Sequence, residues 1–143
     1  MRKCIDDIRK RLNPLLLPTN AVEVRQNLTQ LFGELGRHLK LEGTDLYPPL
    51  AEGDDLAARQ LAERYGLEMK QMLPRLAEFN RRWPSATDIR AHGTQFMKEA
   101  DATLKWLERR FTSENSELYP LLDKLDVANL VISPNPELKI ASI

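Results

Sequence analysis

The chain has 143 residues, 42% hydrophobic and 29% charged with few aromatics, a composition for one soluble helical domain with a real core. Its 21 Lys and Arg balance 21 Asp and Glu, so no net field draws it to nucleic acid or to an anionic membrane. The lone cysteine, Cys4, cannot close an internal disulfide, which fits a reducing cytoplasm; no apolar h-region follows Met1-Arg2-Lys3, and no apolar run approaches the ~20 residues of a membrane span.

In chain order, Ile5, Ile8 and Leu12 recur at helical spacing before Asn13-Pro14 and Pro18 stop the run. The first helix therefore has only about three turns. A second helix is expected from Asn20 to about Leu46. Asn20 and Glu23 form a capping pair at its start, and Val24, Leu28, Leu31, Leu35, His38 and Glu42 fall on one face. A third runs from about Asp54 to Arg82 with Leu61, Tyr65, Met69, Met72, Leu76, Phe79 and Trp83 on its stripe, and Pro74 inside it predicts a kink. The Met69/Met72 pair reads as core filler. After Trp83-Pro84-Ser85 comes a short turn of helix, then a last long helix from Gly93-Thr94 to about Glu117. Its stripe is Phe96, Ala100, Thr103, Leu107, Arg110 and Glu114. Tyr47-Pro48 and Tyr119-Pro120 are expected to close these two patterned helices, because the residue before a proline is pushed out of the α region. The basic pairs Arg81-Arg82 and Arg109-Arg110 read as solvated helix ends.

The stretches HLKLEGTDLYPPL, from His38, and RFTSENSELYPLL, from Arg110, share Glu42/Glu114, Leu46/Leu118, Tyr47/Tyr119, Pro48/Pro120 and Leu50/Leu122. The offset is constant, since 110 − 38 and 122 − 50 both give 72. A fixed offset points to an internal duplication. Long amphipathic helices joined by short connections predict an all-α, up-down-up-down four-helix bundle over residues 1–124, with a short first helix and an irregular tail over 125–143, docked or frayed.

His38 and Glu42 lie four apart on an apolar stripe, as do Arg110 and Glu114, so all four are expected to point inward near one end of the bundle. The helix facing them offers Glu63, Tyr65, Glu68 and Met69 but no histidine. Buried ionisable groups cost several kcal/mol unless paired or bound to metal. Two readings of this layer stand side by side. In one, the Arg110 guanidinium bridges Glu42 and Glu114 while His38 takes a remaining hydrogen bond. In the other, His38, Glu42 and Glu114 keep a single metal ion.

The H-x-x-x-E-x-x-x-L-Y-P arrangement at His38, with a second E-x-x-x-L-Y-P at Glu114, resembles the hemerythrin-like (HHE cation-binding) family over residues 20 to 122. The resemblance implies a four-helix bundle that commonly holds a non-haem di-iron centre, with ligands at His38, Glu42, the positions of Arg110 and Glu114, and histidines on the other two helices. This chain departs from that pattern. Its other histidine, His92, precedes Arg110 by 18 residues, ~27 Å along a helix, and so cannot reach the same metal. The expected function is a degenerate, non-catalytic binding or regulatory module without a cofactor. Alternatives are a sensor of oxygen, nitric oxide or redox state retaining iron or another divalent cation, and an anti-sigma-type regulator like some small bacterial helical bundles. The partner is expected to be another protein or a second copy of the chain, with no nucleic acid and no membrane involved. As helices, residues 1–12 span ~18 Å and residues 20–46 ~40 Å, so the first should run out well before His38. The C-terminal tail or a homodimer is then expected to cover the wall that is missing there.

Overall fold

The structure, a computed structural model, describes residues 1–125, and these are helical with no strand among them. The element order is α1 (Arg2–Arg11), α2 (Leu17–Leu41), a π turn (Glu42–Leu46), α3 (Tyr47–Glu52), α4 (Leu56–Arg82), α5 (Ala86–Ala91), α6 (Gly93–Ser113), a second π turn (Glu114–Leu118) and α7 (Tyr119–Leu125). The chain is an all-α helical bundle. The tail expectation, and with it the question of what the tail covers, falls almost entirely outside the described residues.

Contacts divide the chain into two compact units. The first joins Met1–Leu35 to Pro74–Glu108. Its core is built largely from the expected stripes: Ile5 and Ile8 of α1, Val24, Leu28 and Leu31 of α2, Leu76 and Phe79 of α4, and Phe96, Ala100 and Leu107 of α6 are all buried, while Leu104 is buried in place of the expected, half-buried Thr103. Each such side chain contributes ~1.5–3 kcal/mol by leaving water. Phe96 is the aromatic centre, meeting Trp83 edge-on at 5.2 Å and Phe79 at 6.1 Å. Helices α1 and α2 are antiparallel: Arg11 pairs with Glu23 at 3.2 Å, and the Met1 amino group with Glu34 at 2.7 Å. The last pairing is one turn before His38 in sequence, so α1 falls short by less than the helix lengths alone imply. It is aligned from Glu23 rather than from Asn20, and that shifts it along α2.

The start of α2 also differs from expectation. The side-chain oxygen of Asn13 accepts the amides of Leu15 at 3.0 Å and Leu16 at 2.8 Å, so the chain already turns at residue 13. Asn20 lies inside the helix, its amide group donating to the Leu16 carbonyl, and Glu23 is committed to Arg11, so the two form no capping pair. Ser85 does cap α5, accepting the Asp88 amide. Pro74 lies within α4, which continues to Arg82 with the ring on the exposed side.

Among the described residues the second unit comprises Gly36–Leu73 and residues 109–125. Its apolar cluster is Leu46, Tyr47, Leu50, Ala58, Ala62, Tyr65, Leu118, Tyr119 and Leu122, flanked by Leu41, Leu61, Met69 and Leu121. All three tyrosines of the chain belong to it.

Here the expected Tyr-Pro stops are overturned. Tyr47 is helical at φ −68°, ψ −42°, and Tyr119 at φ −66°, ψ −38°. A π turn precedes each, so the Tyr47 amide donates to the Glu42 carbonyl and the Tyr119 amide to that of Glu114, one residue further back than in an α-helix. The reset places Pro48 in the first turn of α3 and Pro120 in that of α7, where a missing N–H is least costly. The two π turns are 114 − 42 = 72 residues apart, so the duplication extends to this backbone irregularity.

Candidate metal centre

The polar layer lies wholly within the second unit. His38, at the end of α2, and Glu42, which opens the π turn, are 1% and 0% exposed; Arg110 of α6 and Glu114 are 5% and 1%. These four interrupt otherwise apolar stripes, Leu35 and Leu107 lying one turn before His38 and Arg110.

Arg110 organises the layer. Its Nε donates to Glu114 Oε1 at 3.0 Å and its Nη2 to Glu42 Oε2 at 3.3 Å, so one guanidinium bridges both carboxylates. Nη2 also donates to the Tyr47 hydroxyl at 2.7 Å, and that hydroxyl donates on to Glu42 Oε2 at 2.7 Å. Nη1 turns outward, to the Tyr65 carbonyl at 3.3 Å and to Glu68 Oε2 at 3.0 Å. The guanidinium lies 4.8 Å from the centre of the Tyr65 ring, which in turn stacks on Tyr47. Tyr65 therefore serves the layer through its ring and its carbonyl, with no hydrogen bond from its hydroxyl to the buried charges.

The remaining oxygen of each carboxylate faces His38. Nε2 forms a close ion pair with Glu42 Oε1 and lies 3.4 Å from Glu114 Oε2. Neither oxygen is engaged in a hydrogen bond of regular geometry. One ligand atom from each of His38, Glu42 and Glu114 can be chosen so that all lie within 4.8 Å of one another. The Phe111 ring stands nearly perpendicular to the imidazole, with ring centres 6.4 Å apart.

The electrostatics follow from this packing. Burial alone disfavours a charged imidazole, but the carboxylates of Glu114 and Glu42 outweigh it and hold the His38 pKa up at about 10. Burial likewise works against ionisation of Glu42, yet the His38 bond and the charges of His38 and Arg110 bring it down to about 2. Glu114 is raised to about 7, chiefly by burial and by the neighbouring Glu42. Burial pushes the Tyr47 and Tyr119 hydroxyls well above the ordinary phenol range. At neutral pH imidazolium and guanidinium therefore face an ionised Glu42 and a Glu114 that is only partly ionised.

Two functional residues were not read from the sequence as parts of this layer. Tyr47 with Pro48 reads in the sequence as a helix stop. Its repetition at Tyr119 was the available signal, because a tyrosine kept at the same offset as Glu42 and Glu114 shares their environment. In the sequence Glu68 is one of four residues offered by the facing helix, with no role of its own. Its position three residues after Tyr65, on one face, was the signal there.

Other candidates lie elsewhere. His92 follows α5, is exposed, and takes no part in the trio. Arg81 pairs with Glu78 and Arg82 with Glu99, while Arg109 is exposed and Arg110 buried, so neither basic pair acts as a unit. Cys4 is buried, its Sγ 3.9 Å from Glu34 and its thiol pKa raised by that burial. Met72 is buried and Met69 half-buried among apolar neighbours. Among the described residues no helix is long and apolar enough to cross a membrane.

The donor set does not fit a di-iron centre. One imidazole is present, and Arg110 takes the carboxylate oxygens that a second ion would need. It does fit one ion, for which His38, Glu42 and Glu114 supply a nitrogen and two oxygens, the donor chemistry of first-row divalent metals. No curated protein and no solved structure matches the chain. A family model, the hemerythrin HHE cation binding domain, matches residues 2–122 and so takes in α1 as well as the two repeated segments. The chain belongs to the hemerythrin HHE family, with a buried His/Glu/Glu group able to hold a metal ion.

Proposed function

We propose that this chain is a non-catalytic binding or regulatory module in which an organic cation has taken over half of the family's metal centre. The observation that carries this reading is the Arg110 bridge between Glu42 and Glu114. A guanidinium is a permanent charge with donors in a fixed plane, so it neutralises two buried carboxylates without offering an open coordination position. What remains is a three-ligand pocket of His38 Nε2, Glu42 Oε1 and Glu114 Oε2. One divalent cation there would be the bound signal, and Tyr47, Tyr65 and Arg110 would keep the carboxylates oriented.

A second reading is a metal-free module, supported by the raised pKa of His38, whose proton balances the layer without an ion. Elemental analysis of freshly purified protein separates the readings. At most one divalent ion per chain, lost in His38→Ala, supports the one-ion module. No bound metal before or after incubation with divalent salts supports the proton-closed layer. Two iron atoms per chain would overturn both.

A further inference from the structure

The trio is sealed, with its three side chains at most 1% exposed, and a cation needs a way in. Phe111 flanks the imidazole, and the hydroxyl of Tyr47 bonds to Glu42. One member of the polar network reaches solvent. The Glu68 side chain is 45% exposed, while that of Arg110, bonded to it, is 3% exposed. Polar groups therefore run without a break from the surface through Glu68 and Arg110 to Glu42 and Glu114.

We propose that Glu68 is the gate residue for divalent cations reaching the His38/Glu42/Glu114 trio, and that Arg110 is the gate it holds. The inference rests on the reading that the trio takes one divalent cation. Arg110 blocks the route twice, as a positive charge facing an incoming cation and as the partner of Glu42 Oε2 and Glu114 Oε1. Its two sides are held differently. The inner contacts, from Nε and Nη2, go to the buried carboxylates; the outer ones, from Nη1, go to Glu68 at 3.0 Å and the Tyr65 carbonyl at 3.3 Å. A guanidinium that keeps its outer contacts while releasing the inner ones swings toward the surface and frees the approach to both carboxylates. Glu68 anchors that movement and presents the first negative charge that a hydrated cation meets. Without it, Arg110 has only buried carboxylates for ionic partners and stays closed over the trio.

The probe is Co²⁺, whose visible ligand-field absorption reports loading directly, added as its chloride to metal-free protein in a stopped-flow instrument. Glu68→Gln keeps the shape but removes the charge, and is expected to slow association by about ten-fold or more. Loading should reach the same final spectrum, because Glu68 is not a ligand. Glu68→Asp should recover part of the rate, whereas Glu63→Gln, an exposed change on the same helix, should leave it unaltered. Melting curves check that Glu68→Gln folds as the parent does, so a loss confined to the rate is not a loss of structure. Co²⁺ binding that depends on His38 but proceeds at the parental rate in Glu68→Gln overturns the gate and leaves the one-ion reading standing. Absence of any His38-dependent Co²⁺ spectrum in the unaltered protein overturns both.

Discussion

Arg110 shows how one side chain changes what a bundle can do. It stands 72 residues after His38, at the equivalent position of the repeat, and both residues bridge Glu42 and Glu114. The bridges are pseudo-symmetric. Each cation meets the glutamate four residues ahead on its own strand of chain and the glutamate of the other repeat. Exchanging an imidazole for a guanidinium preserves the charge balance and removes a ligand. Arg110→Met should therefore destabilise the protein by roughly 3–5 kcal/mol, since Glu42 and Glu114 lose a counter-charge they cannot replace from solvent. Adding Glu42→Gln should return part of that loss by removing one of the stranded charges. Chemical denaturation of the two variants and the parent checks both statements; a melting profile of Arg110→Met identical to the parent's would show that the bridge carries no net energy.

At the scale of elements, the long helices were legible because an apolar stripe records a period of three and four residues; α2 follows its stripe throughout, whereas Leu61 and Met69 of α4 are half-buried and α6 buries Leu104 rather than Thr103. The inward direction of His38, Glu42, Arg110 and Glu114 was legible for the same reason. The π turns were not, because the steps of four that they leave, from Glu42 to Leu46 to Leu50, are also steps an α-helix allows. The Tyr-Pro signal is local, and a register reset satisfied it without ending the helix. The cap at Asn20 failed because Asn13 turned the chain earlier. The π turns matter to the site. Five residues beyond Glu42, Tyr47 would lie ~140° around an ideal α-helix, but across the wider turn its hydroxyl reaches Glu42 Oε2 at 2.7 Å. Deleting the exposed Asp45 should restore an α turn, rotate Leu46 and Tyr47 by ~100° and cost on the order of 2–4 kcal/mol through lost burial and the lost hydroxyl bond. Asp45→Ala keeps the register and should stay within about 0.5 kcal/mol of the parent. Denaturation midpoints for the pair, with the near-ultraviolet circular dichroism of the tyrosines, decide the matter; equal stability would show that the π turn is incidental.

For the whole molecule, the division into two contact units locates the response to pH. The first unit's core is apolar with ion pairs outside it, whereas His38, Glu42, Arg110 and Glu114 all belong to the second. The sign follows group by group. His38 is raised from 6.5 to about 10, so its contribution is complete below pH 6.5 and lost as pH rises through 10. Glu114, raised from 4.5 to about 7, adds a loss between those values, because the unfolded chain ionises first. Glu42, lowered from 4.5 to about 2, works the other way, and its contribution disappears as pH falls through that window. The metal-free protein should therefore weaken steadily from about pH 6.5 to 10, by a few kcal/mol in all. In His38→Gln most of that alkaline slope should vanish, and a bound divalent cation should flatten it in the parent by displacing the imidazole proton. Hydrogen exchange adds the location: amides of residues 36–73 and 109–125 should open at high pH before those of residues 1–35 and 74–108. Uniform loosening of both sets, or parallel pH profiles for the parent and His38→Gln, would show that the alkaline response does not arise in the polar layer.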